Sequence, residues 1–345
     1  MENGGGEFTE ELRAVWQRLH EFCSACDWRG YDPYDGLTSP WARLLPGKTA
    51  RQAWTQFHRR NPINFRRLCG IEPQLNSTTV ALFALGSGDA RLLDLLAKLR
   101  TPEGGWGYPF GWQQRAFYAP PNTPNLICTM LAVKAHRQAG RPCDAGFVER
   151  LVIERDGERW IRYILQSPAQ VHNINMMGAA LLGRRDCMEF SVKRQRPDGS
   201  WWYGGAENQR WVDNFHTGYN LVALREYQQS TGDSSFDESA RRGFDYWDKV
   251  FWLPDGAPRY YHNRTYPLDI HCCAQGILTY LEYGEQAKAN HVARWALKNM
   301  WDERGFFWYQ RGQFLTNRIC YMRWSEAWMC WALKKLIDAN ETTNC

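Results

Sequence analysis

A small polar cluster followed by an apolar run recurs along this chain, and that recurrence restricts the fold more than any other feature. Asn76 precedes STTVALFAL, Asn125 precedes LICTMLAV and Asn175 precedes MMGAALLG. Further on, His216 precedes TGYNLVAL, His271 precedes CCAQGILTYL, and Trp324-Ser325-Glu326 precede AWMCWAL. The spacing is roughly 40 to 55 residues, in the range of architectures built by repeating one supersecondary unit. Almost no stretch alternates apolar and polar residues, so the repeated unit is helical. Six starts, with room for one more helix between each pair, predict six helical hairpins. Closed on themselves they form an all-α protein, an α/α toroid of about six helical hairpins around a central cavity. Inner helices would ring the cavity and outer helices would pack around them.

In such a ring every inner helix begins on the same rim, so residues at the starts converge on one concave site. Aromatic strips precede several starts: Gly105-Trp106-Gly107-Tyr108, Trp201-Trp202-Tyr203, Arg259-Tyr260-Tyr261 and Phe306-Phe307-Trp308-Tyr309. The unit starting at Asn175 shows no strip of its own. The strip at Trp201 follows a Pro197-Asp198-Gly199 turn, in which proline pre-sets φ and glycine accepts angles that other residues resist.

Composition narrows the function classes. Of 345 residues, 44% are hydrophobic, ample for a core, and the 18 tryptophans suit two roles, filling the gaps between stacked hairpins and lining a groove. Flat rings lining a groove stack on sugar faces or enclose a cation or an apolar intermediate. Forty-two basic against 37 acidic residues leave a net charge of +5, with no long basic run, so no nucleic-acid partner is expected. Arginines near the starts, among them Arg210, Arg259, Arg264, Arg318 and Arg323, suit an anionic substrate. No window reaches the roughly 18 apolar residues of a membrane helix. The polar first twenty residues carry no secretory signal, so a reduced, cytoplasmic protein is expected, with Cys23 and Cys26 as packed thiols.

Along the chain, residues 1–7 are Gly-rich and expected to be disordered, and an amphipathic helix follows from Thr9 to about Cys26. Residues 1–45 are taken as an N-terminal helix and turn segment packing on the toroid, and 46–340 as the toroid. Asp32 and Asp35, within a Pro- and Gly-rich turn region, fit turn-stabilising roles. Asp144 to Leu165 is predicted as an outer helix.

Four polar clusters compete for the chemistry. Asp213, His216 and Tyr219 place an acid, an imidazole and a phenol within a turn or two of one helix start, and imidazole suits proton transfer near neutral pH. Asp269 and His271 are zinc-ligand types, but no third and fourth ligand follow from spacing, so no metal and no cofactor are expected. Glu326 offers a carboxylate beside Arg323. His172-Asn173-Ile174-Asn175 offers an imidazole and two amides for holding hydroxyls. The candidate catalytic set is Asp213, His216, Tyr219, Asp269, His271 and Glu326. Candidate substrate-binding residues are Trp106, Tyr108, Asn125, Asn175, Trp202, Tyr203, Tyr261, Tyr309 and Arg323. No HExxH, GxSxG, P-loop or GxGxxG occurs, which removes those hydrolases and nucleotide folds.

Three resemblances bear on function. Gln195-Arg196-Pro197-Asp198-Gly199-Ser200-Trp201 resembles the repeat of squalene cyclases and protein prenyltransferases, although the DxDD and DDxxD signatures of terpene chemistry are absent. The whole-chain pattern, including Tyr31-Asp32-Pro33-Tyr34-Asp35-Gly36-Leu37, is similar to toroid proteins found with bacterial surface-polysaccharide synthesis. Arg210-Trp211 followed by His216-Thr217 and Asn220 resembles the helical domain of glucuronyl C5-epimerases. These resemblances imply a saccharide or other small-molecule substrate and work beside membrane-associated glycosyltransferases.

Three classes of function follow as expectations. The first is a carbohydrate-active enzyme, either a uronate epimerase or lyase working by proton abstraction or a glycoside hydrolase working with two carboxylates. The second is a terpene cyclase or prenyltransferase-like enzyme with a Trp-rich cavity. The third is a non-catalytic glycan-binding toroid.

Overall fold

The computed structural model describes residues 3–343. Six helices form a closed inner ring: α3 (Ser77–Ser87), α5 (Leu126–Gln138), α7 (His172–Leu182), α9 (Asn214–Thr231), α11 (Ile270–Glu282) and α13 (Trp328–Thr343). Each packs against the next, and α13 packs back on α3. The outer layer is α4 (Ala90–Lys98), α6 (Gly146–Glu149), α8 (Arg185–Val192), α10 (Asp237–Phe251) and α12 (Gln286–Met300), each against the inner helix before it. The sixth outer position is filled by the chain's first helix, α1 (Asn3–Ala25), which packs on α13. This is an α/α toroid. The remaining helix, α2 (Gly47–Arg60), stands outside the hairpin scheme and contributes to the rim.

Burial explains the layers. A helix that is apolar all round has no solvent face, and in α3 every residue from Ser77 to Gly86 is buried. The outer helix α4 is one-sided, with Leu92, Leu93 and Leu96 inward. Residues 3–7, expected to be disordered, are the first turns of α1, while residues 1–2 lie outside the described range. In α1, Phe8, Leu12, Leu19 and Cys23 reach the core.

Four of the six inner-helix starts share one device. Asn76, Asn125, Asp213 and Asp269 are N-caps whose side-chain oxygens accept the backbone N–H of Thr78, Cys128, His216 and His271 at 2.9, 3.1, 3.0 and 2.8 Å. Each such cap contributes about 1 kcal/mol. A second device links four of the starts to the next loop. Leu126, His172, Asn214 and Ile270 donate their N–H to the carbonyls of Tyr163, Tyr203, Tyr260 and Tyr309, at 3.0, 3.0, 2.9 and 3.2 Å. The unit that showed no aromatic strip has one after all, Trp160-Ile161-Arg162-Tyr163, and these links hold the tyrosines at the rim.

One predicted element is corrected. Asp144 to Leu165 is not a helix: after the single turn of α6 the chain makes an antiparallel hairpin, Val152–Arg155 against Glu158–Ile161. Asp156 and Gly157 both have positive φ, 54° and 76°. An Asp-Gly pair in that conformation makes the two-residue turn whose twist matches paired strands. The last inner helix also starts differently from the others, as one π-helical stretch, Met322–Ala327, running into α13.

Candidate active site

The inner-helix starts surround a cavity of about 790 Å³, within the usual size range of small-molecule sites. Phe215, Ile174, Ile127 and Trp328 supply apolar surface, and seven tyrosines line the walls, so hydroxyl groups as well as ring faces meet a ligand. Tyr219 and Trp328 also line a smaller cavity of about 380 Å³, which they separate from the first.

Asp213 and His216 sit at the head of α9. Asp213 is 2% exposed, and its Oδ1 is used as the helix cap. Its Oδ2 accepts from Trp211 Nε1 at 2.9 Å and from His216 Nδ1 at 2.7 Å. A carboxylate can only accept, so the imidazole proton is held on Nδ1 and the Nε2 lone pair is free for the cavity. The ring is 23% exposed and lines that cavity.

One turn further along α9, Tyr219 donates its hydroxyl to His271 Nε2 at 2.6 Å. The direction is fixed because His271 Nδ1 faces the Trp324 carbonyl at 3.1 Å, which also can only accept. Burial pushes His271 down to about 3 and holds Tyr219 well above the usual phenol range, so both are neutral at pH 7. The Tyr219 and His216 rings lie 6.2 Å apart.

Two arginines complete the wall. Arg323 holds Asp32 through Nε and Nη2, at 2.5 and 2.9 Å, and lies over the Tyr108 ring. Arg59 of α2 donates to the hydroxyls of Tyr309 and Tyr260, at 3.1 and 2.9 Å, and lies over Tyr34. Asn173 also faces the cavity, with a buried amide oxygen that meets no donor from the described residues.

Of the sequence candidates, Asp213, His216, Tyr219, His271, Tyr108, Tyr203, Tyr261 and Arg323 line the cavity. The others do not. Asp269 is fully buried, capping α11 and accepting from Trp324 Nε1 and Gln310 Nε2, at 3.0 and 2.6 Å. Glu326 turns away from the cavity and accepts the Phe307 N–H at 2.8 Å. Trp106 is a core residue tied to the Leu96 carbonyl, and Asn125 is a cap. Asn175 bridges Ile161, Cys187 and Ser191 inside the ring. Trp202 lies outside the cavity, under the Arg196 guanidinium. Tyr309 stands behind the wall and reaches the site only by holding Arg59. Both ring nitrogens of His271 are engaged by protein, and no cluster of three metal-ligand side chains occurs among the described residues. Arg59, Tyr34 and Trp112 are cavity residues that sequence reasoning missed.

Glu326 therefore becomes a stability residue with a testable pH signature. Burial pushes its carboxyl up to about 8, so the folded chain carries the proton at pH 7 and the unfolded chain does not. Its contribution is complete below the unfolded pKa and is lost as pH rises through about 8. Between pH 5 and pH 8 the loss is about 3 to 4 kcal/mol. Urea unfolding at the two pH values should show Glu326→Gln losing much less stability than wild type. Parallel losses would mean that Glu326 is ionised in the fold.

No family model matches the chain, and no curated protein matches it in sequence. Solved structures match in fold. A cellobiose 2-epimerase from Bacillus thermoamylovorans superposes with a TM-score of 0.56 at 9% identity, over 78% of this chain and 90% of that one. A possible member of the GH105 family from Salmonella enterica gives 0.53 at 10% identity, over 97% and 95%. An ent-copalyl diphosphate synthase from Streptomyces platensis gives 0.53 at 17% identity, over 86% of this chain and 56% of that one. The protein thus shares the α/α-toroid fold with these structures. No helix among the described residues is long and apolar enough to cross a membrane.

Proposed function

We propose that this protein is a carbohydrate-active enzyme that moves a proton on a sugar carbon next to a carbonyl or carboxyl group, as an epimerase, isomerase or lyase. The observation that carries this reading is the pairing of His216, oriented by Asp213, with the Tyr219–His271 couple in the wall of one cavity. His216 Nε2 takes the proton from carbon, and the C–H electron pair moves onto the neighbouring oxygen as an enolate. The positive arginine wall stabilises that charge. Proton return to the other face of the same carbon is epimerisation. Beside a carbonyl, return to the former carbonyl carbon, with the neighbouring hydroxyl proton passing to the enolate oxygen, is isomerisation. Departure of a β-oxygen that takes up a proton as its C–O bond breaks is elimination. The Tyr219 hydroxyl is the second proton-handling group, held in place by His271.

The hydrolase alternative needs two free carboxylates. The carboxylates lining the cavity are Asp213, committed to His216 and Trp211, and Glu207. A terpene cyclase-like reading draws on the aromatic wall, but it too needs a free acid aimed inward. The similar structures named as cellobiose 2-epimerases favour sugar chemistry, and the resemblance to surface-polysaccharide proteins favours work beside membrane-associated glycosyltransferases.

The test is incubation in D₂O with reducing disaccharides and uronate oligosaccharides, followed by NMR. Enzyme-dependent deuterium at the carbon beside the carbonyl or carboxyl group is expected. Glycosidic cleavage without any exchange would replace this reading with the hydrolase.

A further inference from the structure

Three arginines penetrate the wall of this protein, and their partners differ. Arg66 donates to Asp35 at 2.7 Å, and Arg323 grips Asp32 with two bonds. Arg59 has no carboxylate within ion-pair distance among the described residues. Its Nε and Nη2 are held by the hydroxyls of Tyr309 and Tyr260, which fix the plane of the guanidinium without neutralising it. No acceptor from the described residues meets Nη1, and Arg59 lines the main cavity. Its surroundings add positive charge: Arg60, Arg115, Arg210, Arg264 and Arg323 also line the cavity, against Glu207 and Asp213. Asp32 already neutralises Arg323, and Asp213 serves His216.

A guanidinium partly withdrawn from water without a counter-charge costs stability unless an anion completes it. We infer that the substrate is an acidic sugar and that its carboxylate docks on Arg59. This inference rests on the proton-transfer reading above. A planar carboxylate matches the free Nη1 edge of a guanidinium fork. Carboxylate rather than phosphate also fits the chemistry, because the proton beside a carboxylate is the one a His216 base removes. The charge that develops then falls on the group Arg59 holds. Phe215 packs between the two ends of the site, its ring 4.1 Å from His216 and 5.5 Å from Tyr260, so base and anion site share one wall.

The test is equilibrium binding by calorimetry, using D-glucuronate, a glucuronate-containing tetrasaccharide and the same tetrasaccharide with its carboxyls reduced to alcohols. Wild type should prefer the acid form by about tenfold to a hundredfold, the worth of a charge-assisted hydrogen bond. Arg59→Gln should bring the ratio of the two affinities close to one, and Arg59→Lys should keep part of the preference. His216→Gln should keep the preference in full while losing deuterium exchange, which separates this inference from the proposed reaction. Equal wild-type affinity for the two forms, or no saturable binding of either uronate, would overturn it without reference to any variant. Tighter, Arg59-dependent binding of glucose 1-phosphate than of glucuronate would also overturn it, since the anion would then be a phosphate.

Discussion

Replacing His216 by glutamine should lower deuterium exchange, and any turnover coupled to it, by about a hundred- to ten-thousand-fold, the usual worth of a positioned general base. The fold should survive, because the ring is only partly buried and its backbone N–H, not its side chain, receives the helix cap. Asp213→Asn is the sharper variant. Asparagine caps a helix as well as aspartate does, so α9 should keep its start. The amide nitrogen that replaces Oδ2, however, donates to His216 Nδ1, which drives the imidazole proton onto Nε2 and removes the lone pair from the cavity. It also faces the Trp211 N–H, so one donor is left unsatisfied. Exchange should fall nearly as far as in His216→Gln, while stability to urea drops by only about 1 to 2 kcal/mol. If Asp213→Asn keeps more than a tenth of wild-type exchange, the tautomer does not matter and His216 is not the base.

The contrast between Asp213 and Asp269 shows where the sequence stops being informative. Both are acids at an inner-helix start, two or three residues before a histidine, and both prove to be N-caps. Local pattern is enough for that much, because capping is set within one turn. What separates them is the second carboxylate oxygen. In Asp213 it meets an imidazole that faces the cavity, whereas in Asp269 it meets Gln310, 41 residues away. The ring itself is legible because its period is written into the spacing of the helix starts. The 152–161 hairpin reads as part of an outer helix, because its flanks suit an amphipathic helix and the Asp156-Gly157 turn signal was missed. Arg59 was not legible. It belongs to a basic stretch that reads as solvated surface, and it acquires a role through tyrosines 201 and 250 residues distant, which no local period encodes.

The segment that delivers Arg59 to the cavity is anchored by buried charge, and cutting that anchor should have the largest stability effect in the molecule. Arg66 is fully buried, and its guanidinium is held by Asp35, the carbonyls of Asp32 and His58, and the Tyr321 hydroxyl. Asp35→Ala leaves that cation without its counter-charge and should cost about 3 to 5 kcal/mol in urea unfolding. The cost reflects the stranded arginine rather than the intrinsic strength of the pair. Arg66→Met on top of Asp35→Leu should therefore recover part of it, since apolar side chains remove the stranded charge. Recovery is incomplete because the Asp32 and His58 carbonyls and the Asp32 N–H then lose these partners. The two outcomes together have a functional corollary. Asp35→Ala should weaken uronate binding as well as stability, because Asp32 and Tyr34 share its turn and meet Arg323 and Arg59 at the cavity wall. In the double variant, stability should return further than binding, because the fork that locked the turn against Tyr321 is gone. A single Asp35→Ala variant as stable as wild type would mean that this turn is not held by the buried pair and that α2 reaches the rim by other contacts.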